Sequence, residues 1–409
     1  MLKKKLINKI AIIISWPREI DMYSKFLDLR DNPTFDFIVN DIKSTEKGRN
    51  QSNKLIEELL IAKKIKYKLF SEVYQKLLYE KVISTGETCA MYKNLYSVIK
   101  HIYAVTIGFL LEFTKISKIL IKFFGRPFTA NGIKSKIGIE WYPEKKIGKI
   151  SIKFPDGADI KLKNYPYPAY ENIFDIFLCY SDLEIPLIQK KFKKTVCKKI
   201  EYFRFSELKE ENKKKIDLIK EFNLDPKKPT IIWMPTHMLH ATEEDMNIFD
   251  WCKEISFLNK FYNLIIRPHP KTLFRNNSVL KNLKKYQLNI DTNHNRSIHD
   301  MIVSADLIFA DYGGIIFDSI YLNKKIVLLD MFDGSEYVED LKDSNSLDIK
   351  IRQNLLCMKI GATKNQILSN VKSALSDKYQ KTINENKSIY FGQEKGLNFN
   401  QLVNFLKNL

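Results

Sequence analysis

Short apolar runs separated by amphipathic stretches recur along this chain, and that alternation limits its folds more than any other feature. "KIAIIIS" at 9–15 precedes a helical pattern near Asp21–Leu29. "FDFIVN" precedes the amphipathic "NKLIEELLIAKK", and "IKYKLFS" and "KVIST" add strands. After residue 145, "KISIKFPDGADIKLKNY" resumes the strand pattern, with a turn at Pro155-Asp156-Gly157, and "FDIFLCYS" follows. A second series runs through "PTIIWMPTH", "FYNLIIRPHP", the weaker "YQLNID", "ADLIFADYGG" and "KKIVLLD", and the C-terminal tail is helical in pattern. Strands alternating with helices form parallel βαβ units whose loops gather beyond the strand C-termini.

At 409 residues the chain exceeds one ordinary core, and two domains are expected. The polar helical stretch "SELKEENKKKIDLIKEFNL", residues 206–224, separates the two series and divides the chain into 1–205 and 206–409. The expected class is α/β: two facing Rossmann-like domains with a cleft between them, the glycosyltransferase-B-like arrangement.

The N-terminus imitates a secretory signal, but its apolar run is short, lacks a small-residue cleavage site and stops at Trp16-Pro17-Arg18-Glu19; Lys9–Ser15 reads as a first buried strand. "IKHIYAVTIGFLLEFTKISKILIKFFG", residues 99–125, approaches a membrane span in length, yet Glu112, Lys115, Lys118 and Lys122 interrupt it. The three lysines share one helical face, so residues 109–125 suit a helix lying on an anionic membrane surface. The formal charge of +19 fits a polyanionic partner: a membrane surface or a phosphorylated substrate. Nucleic acid is disfavoured, because no nucleic-acid module appears and the aromatics do not interleave with basic residues. Five scattered cysteines without a CxxC argue against a disulfide framework and a zinc site and fit a reducing cytoplasm.

Four polar stretches end apolar strands: Pro155-Asp156-Gly157, Pro235-Thr236-His237, Arg267-Pro268-His269-Pro270 and Asp311-Tyr312-Gly313-Gly314. Ligands of open α/β sheets bind beyond such ends. Arg267, His269 and Lys271 together suit a diphosphate: a planar donor fork, a short donor and a point charge on a loop stiffened by prolines. Gly313 and Gly314 let backbone N–H groups approach a phosphate at a helix N-terminus, and Asp318 is placed in the first turn of that helix. A surface loop with a structural histidine and a tight glycine turn are the plain alternatives.

"SADLIFADYGGIIFDSIYLNKKIVLLD", residues 304–330, resembles the signature of the CDP-glycerol glycerophosphotransferase family, the teichoic-acid primases and polymerases. "IIRPHP" resembles the family's Arg-x-His-Pro motif and "PTIIWMPTHML" its Ala-Pro-Thr strand end. "FDIFLCYSDLEIPLIQKKF" and "EYFRFSEL" resemble earlier landmarks, so an ordered series covers roughly residues 145–335. The resemblance implies a glycosyltransferase-B-like fold and work at the cytoplasmic membrane face. It implies transfer of glycerol phosphate, or a related alditol phosphate, from a cytidine-activated donor to a hydroxyl of a lipid-linked or polymer acceptor, with release of CMP. No cofactor beyond the donor nucleotide is implied. His269 and Arg267 would hold the donor's phosphates, with Thr236, His237, Lys271, Asp311, Gly313 and Gly314 around the same pocket and Asp318 behind it. The 206–409 half would be the nucleotide-donor domain and the 1–205 half the acceptor side.

Two positions depart from the family pattern. Its Ser-Ser pair is Gly313-Gly314 here, and its first-domain His-Gly loop is Asp156-Gly157. Asp156 is then the candidate general base, with His237 the next candidate and Asp159 the nearest rival carboxylate. "PDG" followed by "RPHP" also resembles bacterial sialyltransferase motifs, which use a carboxylate base and release CMP. A CMP-sugar glycosyltransferase of capsule or lipopolysaccharide assembly, a sugar-nucleotide 2-epimerase and a non-catalytic relative therefore stay open.

Overall fold

A computed structural model describes residues 4–42, 49–86, 143–155, 173–192, 195–203, 218–236, 247–269, 272–273, 277–293, 296–311, 313–330 and 353–409. They fall into two units. The first contains the described residues up to 203 together with 395–409; the second contains those from 218 to 394.

The first unit is built on seven parallel strands: β1 (Lys5–Ile14), β2 (Phe35–Val39), β3 (Tyr67–Leu69), β4 (Leu77–Ser84), β5 (Gly148–Lys153), β6 (Ile176–Cys179) and β7 (Val196–Lys199). Their order is β3-β2-β1-β4-β5-β6-β7. β1 starts four residues before the expected Lys9, because Lys5–Ile7 pair with Leu77–Tyr79 of β4 ahead of a register shift. Ladder hydrogen bonds, not apolar burial, extend the strand there, since Lys5 and Leu6 are exposed. The single helix expected near Asp21–Leu29 is two short ones, Arg18–Met22 and Ser24–Asp28. They break at Tyr23, whose backbone leaves the helical well while its buried ring packs on Phe154 at 5.2 Å.

The second unit has six parallel strands: β8 (Thr230–Trp233), β9 (Asn263–Ile266), β10 (Asn289–Ile290), β11 (Leu307–Ala310), β12 (Ile326–Leu329) and β13 (Cys357–Met358). Their order is β10-β9-β8-β11-β12-β13. Every residue of β8, β9, β11 and β12 is buried, as expected of strands covered on both faces. The weak "YQLNID" pattern yields only the two residues of β10. β13, not expected from the sequence, comes from the end of the short apolar run Leu355-Leu356-Cys357-Met358; it is fastened by Leu328 N–H to the Leu356 carbonyl and Asp330 N–H to the Met358 carbonyl, both at 2.8 Å. The buried Tyr379 hydroxyl strengthens that edge, donating to the Ile326 carbonyl at 2.7 Å and accepting from Leu356 N–H at 3.0 Å.

Strand order reverses direction in both sheets, between β1 and β4 in the first and between β8 and β11 in the second. Such reversals open a crevice beyond the strand C-termini.

Division near residue 205 leaves the C-terminal tail with the second half of the sequence, but contacts place residues 395–409 in the first unit. Gly392, with φ of +71°, ends the helix Asp377–Phe391. Leu397 N–H then donates to the Lys199 carbonyl and Glu201 N–H to the Leu397 carbonyl, both at 3.0 Å. Gly396 permits that approach: a Cβ there would stand 2.5–2.7 Å from the Ile200 backbone. The helix Phe399–Asn408, capped by Asn398 and Gln401, seats the Phe399 ring 5.1 Å from Phe26 and 5.6 Å from Phe203.

Candidate functional site

Three of the four polar stretches converge at the crevice of the second sheet, because β8, β9 and β11 are neighbours around its reversal. Met234 N–H donates to the Phe309 carbonyl at 2.9 Å, which prolongs the β8–β11 ladder one residue beyond the end of β8. Thr236 N–H then donates to both carboxylate oxygens of Asp311, at 2.9 and 3.0 Å. Asp311 is fully buried. A charge-assisted bond at that depth makes its carboxylate a brace across the reversal.

Gly313 follows at the N-cap of the helix Gly314–Tyr321, with φ of +83° and ψ of −169°. That region is essentially reserved for glycine. A Cβ on Gly313 would lie 3.8 Å from the Thr236 hydroxyl, so the "PTH" and "DYGG" stretches meet there. First-turn N–H groups have no intrahelical acceptor, and together with the helix dipole they favour an anion. Ile316 N–H is the exception here, donating to the Gly313 carbonyl at 3.2 Å. Asp318 does not lie in the first turn: the helix begins at Gly314, so Asp318 is its fifth residue, and it is buried behind the turn.

Arg267 leaves β9 into a buried charged cluster. One Nη donates to Asp291 at 3.2 Å and the other to the Arg296 carbonyl at 2.6 Å. Asp291, just beyond β10, also pairs with Arg296 Nε at 3.1 Å and accepts from Asn293 N–H at 3.0 Å. Arg296 reaches on to Glu221. Burial works against the Arg296 charge, but Glu221 and Asp291 more than offset it and hold its pKa above the ordinary value. The guanidinium of Arg267 thus makes contacts inside the protein that its sequence position does not reveal. His269 is half-buried, and its carbonyl accepts from Thr272 N–H at 2.9 Å, which closes a turn. Asp156, Asp159, His237 and Lys271, with the segment 99–125, lie outside the described residues.

Sequence reading missed Asp291, Arg296 and Glu221, and it missed a second polar cluster in the first unit. There Glu19, wholly buried, accepts from Ser15 N–H at 2.5 Å, from Trp16 N–H at 3.2 Å and from the Thr85 hydroxyl. Asn40, beyond β2, donates to the Ser15 hydroxyl at 3.0 Å. Glu19 therefore joins the ends of β1 and β4, at the reversal of the first sheet. The available signal was an acid four residues beyond "KIAIIIS", at the start of a helix. Among the described residues no group of His, Cys, Asp and Glu is arranged to hold a metal, and no helix is long and apolar enough to cross a membrane.

The profile of a family described as CDP-Glycerol:Poly(glycerophosphate) glycerophosphotransferase matches residues 190–408, just over half of the chain. No curated protein matches the chain in sequence. Among solved structures, a variant of the wall teichoic acid polymerase TagF soaked with CDPG is similar at a TM-score of 0.52 and 11% identity, over 98% of this chain and 87% of that one. The same polymerase variant without the soak gives 0.51 and 12% over the same shares. An S. aureus MnaA-UDP co-structure gives 0.50 and 13%, over 93% of this chain and 91% of that one. At these identities the likeness concerns the fold, which is glycosyltransferase-B-like α/β.

Proposed function

Because the chain belongs to the CDP-glycerol:poly(glycerophosphate) glycerophosphotransferase family, we propose that this transferase moves glycerol phosphate, or a related alditol phosphate, from a CDP-activated donor to a hydroxyl of a lipid-linked or polymer acceptor and releases CMP. The observation that carries the proposal is the meeting of three strand ends at one sheet reversal, inside the segment that matches the family.

The roles follow from the groups present. The donor's diphosphate lies against the first-turn N–H groups beyond Gly313 and beside His269, with Thr236, His237 and Lys271 as further donors. The acceptor hydroxyl attacks the phosphorus that carries the alditol. A new oxygen–phosphorus bond forms, the bridging phosphoanhydride bond breaks, and the electron pair leaves on CMP. Asp156 takes the hydroxyl proton as the bond forms. Asp311 and Asp318 support the turn from behind and do not touch the phosphates. Lys115, Lys118 and Lys122 draw residues 109–125 to the anionic inner face of the cell membrane, where a lipid-linked acceptor would be found.

A cytidine nucleotide as the leaving group sets the first test. Calorimetry with CMP, CDP, UMP and UDP is expected to show cytidine preference, and CDP-glycerol or CDP-ribitol is expected to yield CMP when acceptor is supplied. The chain's own N–H and basic groups meet the phosphate charge in this scheme, so turnover is expected to survive EDTA; loss of activity restored by a divalent ion would refute that part. Turnover of a CMP-sugar in place of both CDP-alditols would move the activity to the glycosyltransferase class, and uridine preference would overturn the proposal.

A further inference from the structure

We propose that Arg267, Asp291 and Arg296 are positioning residues that fix the His269 turn, and that they set the donor's place through it; this rests on the role given to His269 above. Their contacts form a closed circuit. Arg267 reaches Asp291, Asp291 reaches Arg296, and the Arg296 carbonyl returns to Arg267. The circuit joins the end of β9, the end of β10 and the segment that leads to Ser297, whose side chain caps the helix Ile298–Ser304.

Backbone bonds anchor both ends of the circuit. Arg267 N–H donates to the Trp233 carbonyl at 2.8 Å, and Asp291 N–H donates to the Ile266 carbonyl at 2.9 Å. Only Pro268 separates Arg267 from His269, and the proline ring fixes its own φ. An arginine locked at backbone and side chain therefore hands its orientation to His269 across one stiff residue. Two further bonds hold the far side, where Thr272 and Leu273 N–H groups approach the His269 carbonyl at 2.9 and 3.4 Å.

Stability does not account for the cluster. Buried ion pairs recover little beyond the desolvation of their own charges, and apolar residues of similar volume often do as well. What a shared carboxylate between two guanidinium forks supplies is direction. The signs also argue against a phosphate ligand here: Asp291 and Glu221 balance the two arginines within the cluster, so it leaves no net positive charge for an incoming anion.

Asp291→Asn tests this, since it keeps the shape and removes the shared charge. Hydrogen exchange resolved to single amides, on the full chain without ligand, should show the Thr272 amide exchanging about tenfold faster while Leu264, Ile265 and Ile266 stay within about twofold. Equal loss of protection along β9 would mean a purely stabilising role, and unchanged exchange at Thr272 would mean the turn does not depend on the cluster; either overturns the proposal. Turnover supplies the second readout. Asp291→Asn should raise the KM for CDP-glycerol about tenfold with a smaller change in kcat, and Arg267→Lys should do the same in part. In a His269→Ala background Asp291→Asn should change KM less than about twofold, because the histidine it positions is gone. Effects that multiply would overturn the link to His269. A wild-type chain that releases no CMP would count against the proposed function alone, and the exchange result would still decide whether the cluster holds the turn.

Discussion

Adjacent glycines at the head of the helix Gly314–Tyr321 should respond to alanine with opposite signs. Gly313 has φ of +83° and ψ of −169°, where a residue with a Cβ pays about 1–3 kcal/mol. Among the described residues a steric clash adds nothing, because the new Cβ would meet the Thr236 hydroxyl alone, at an ordinary 3.8 Å. At Gly314 a Cβ would meet nothing within 4 Å among the described residues, and alanine gains up to ~0.5–1 kcal/mol over glycine in a helix. The two variants should therefore differ by roughly 2–4 kcal/mol in the second unit, which runs from residue 205 to 394. A domain of that size shifts about 2–4 °C per kcal/mol, so Gly313→Ala should lower its melting temperature by roughly 2–12 °C and Gly314→Ala should raise it by roughly 1–4 °C. Differential scanning calorimetry on the intact chain reads both. A Gly313→Ala protein as stable as wild type would show that the turn relaxes without cost, and would remove the argument that only glycine can present these N–H groups.

In the first unit, burial pushes the Asp36 carboxyl up, but hydrogen bonds from Lys68, Lys9 and Tyr79 outweigh it and leave its pKa below the usual range. A depressed carboxylate contributes stability above its unfolded pKa of about 3.9 and loses it as pH falls through the folded value. Asp36→Asn should cost ~1–2 kcal/mol at pH 7 and flatten the loss of stability below pH ~4, as measured by urea denaturation across pH; an unchanged acid slope would sink this assignment. Glu19→Gln keeps the volume but turns an NH2 toward buried donors, and should destabilise the first unit by roughly 2–4 kcal/mol without altering CMP affinity; a chain as stable as wild type in the same denaturation would show that the carboxylate is dispensable.

Much of the fold was legible because β8, β9, β11 and β12 are buried on both faces, which makes β11 and β12 apolar throughout and β8 and β9 apolar after Thr230 and Asn263. β13 escaped notice because its apolar run, residues 355–358, is short and only its last two residues join the sheet, at an edge. The site was legible where function and strand end coincide in a few residues, as at Arg267-Pro268-His269. It was illegible where partners are distant in the chain: nothing in one sequence pairs Arg267 with Asp291 or Arg296 with Glu221. Its donor fork, its place at a strand end and the motif around it directed Arg267 toward a phosphate, although its neighbours in space bury it. Asp318 was placed one turn too early because the helix takes Gly314 as its first residue and does not wait for the end of the glycine pair.

Return of residues 395–409 to the first unit makes the order of synthesis matter. Phe399 fills the space against Phe26 and Phe203, yet it is translated after the whole second unit. At about 5–20 residues per second, the nascent first unit waits roughly 10–40 s with that aromatic face uncovered. Completion of the first unit is thus tied to the birth of its last helix. Ribosome-stalled chains ending near residue 394 should be cut by protease within the first unit far faster than full-length chains, and equal resistance of the two would show that the unit closes without its tail.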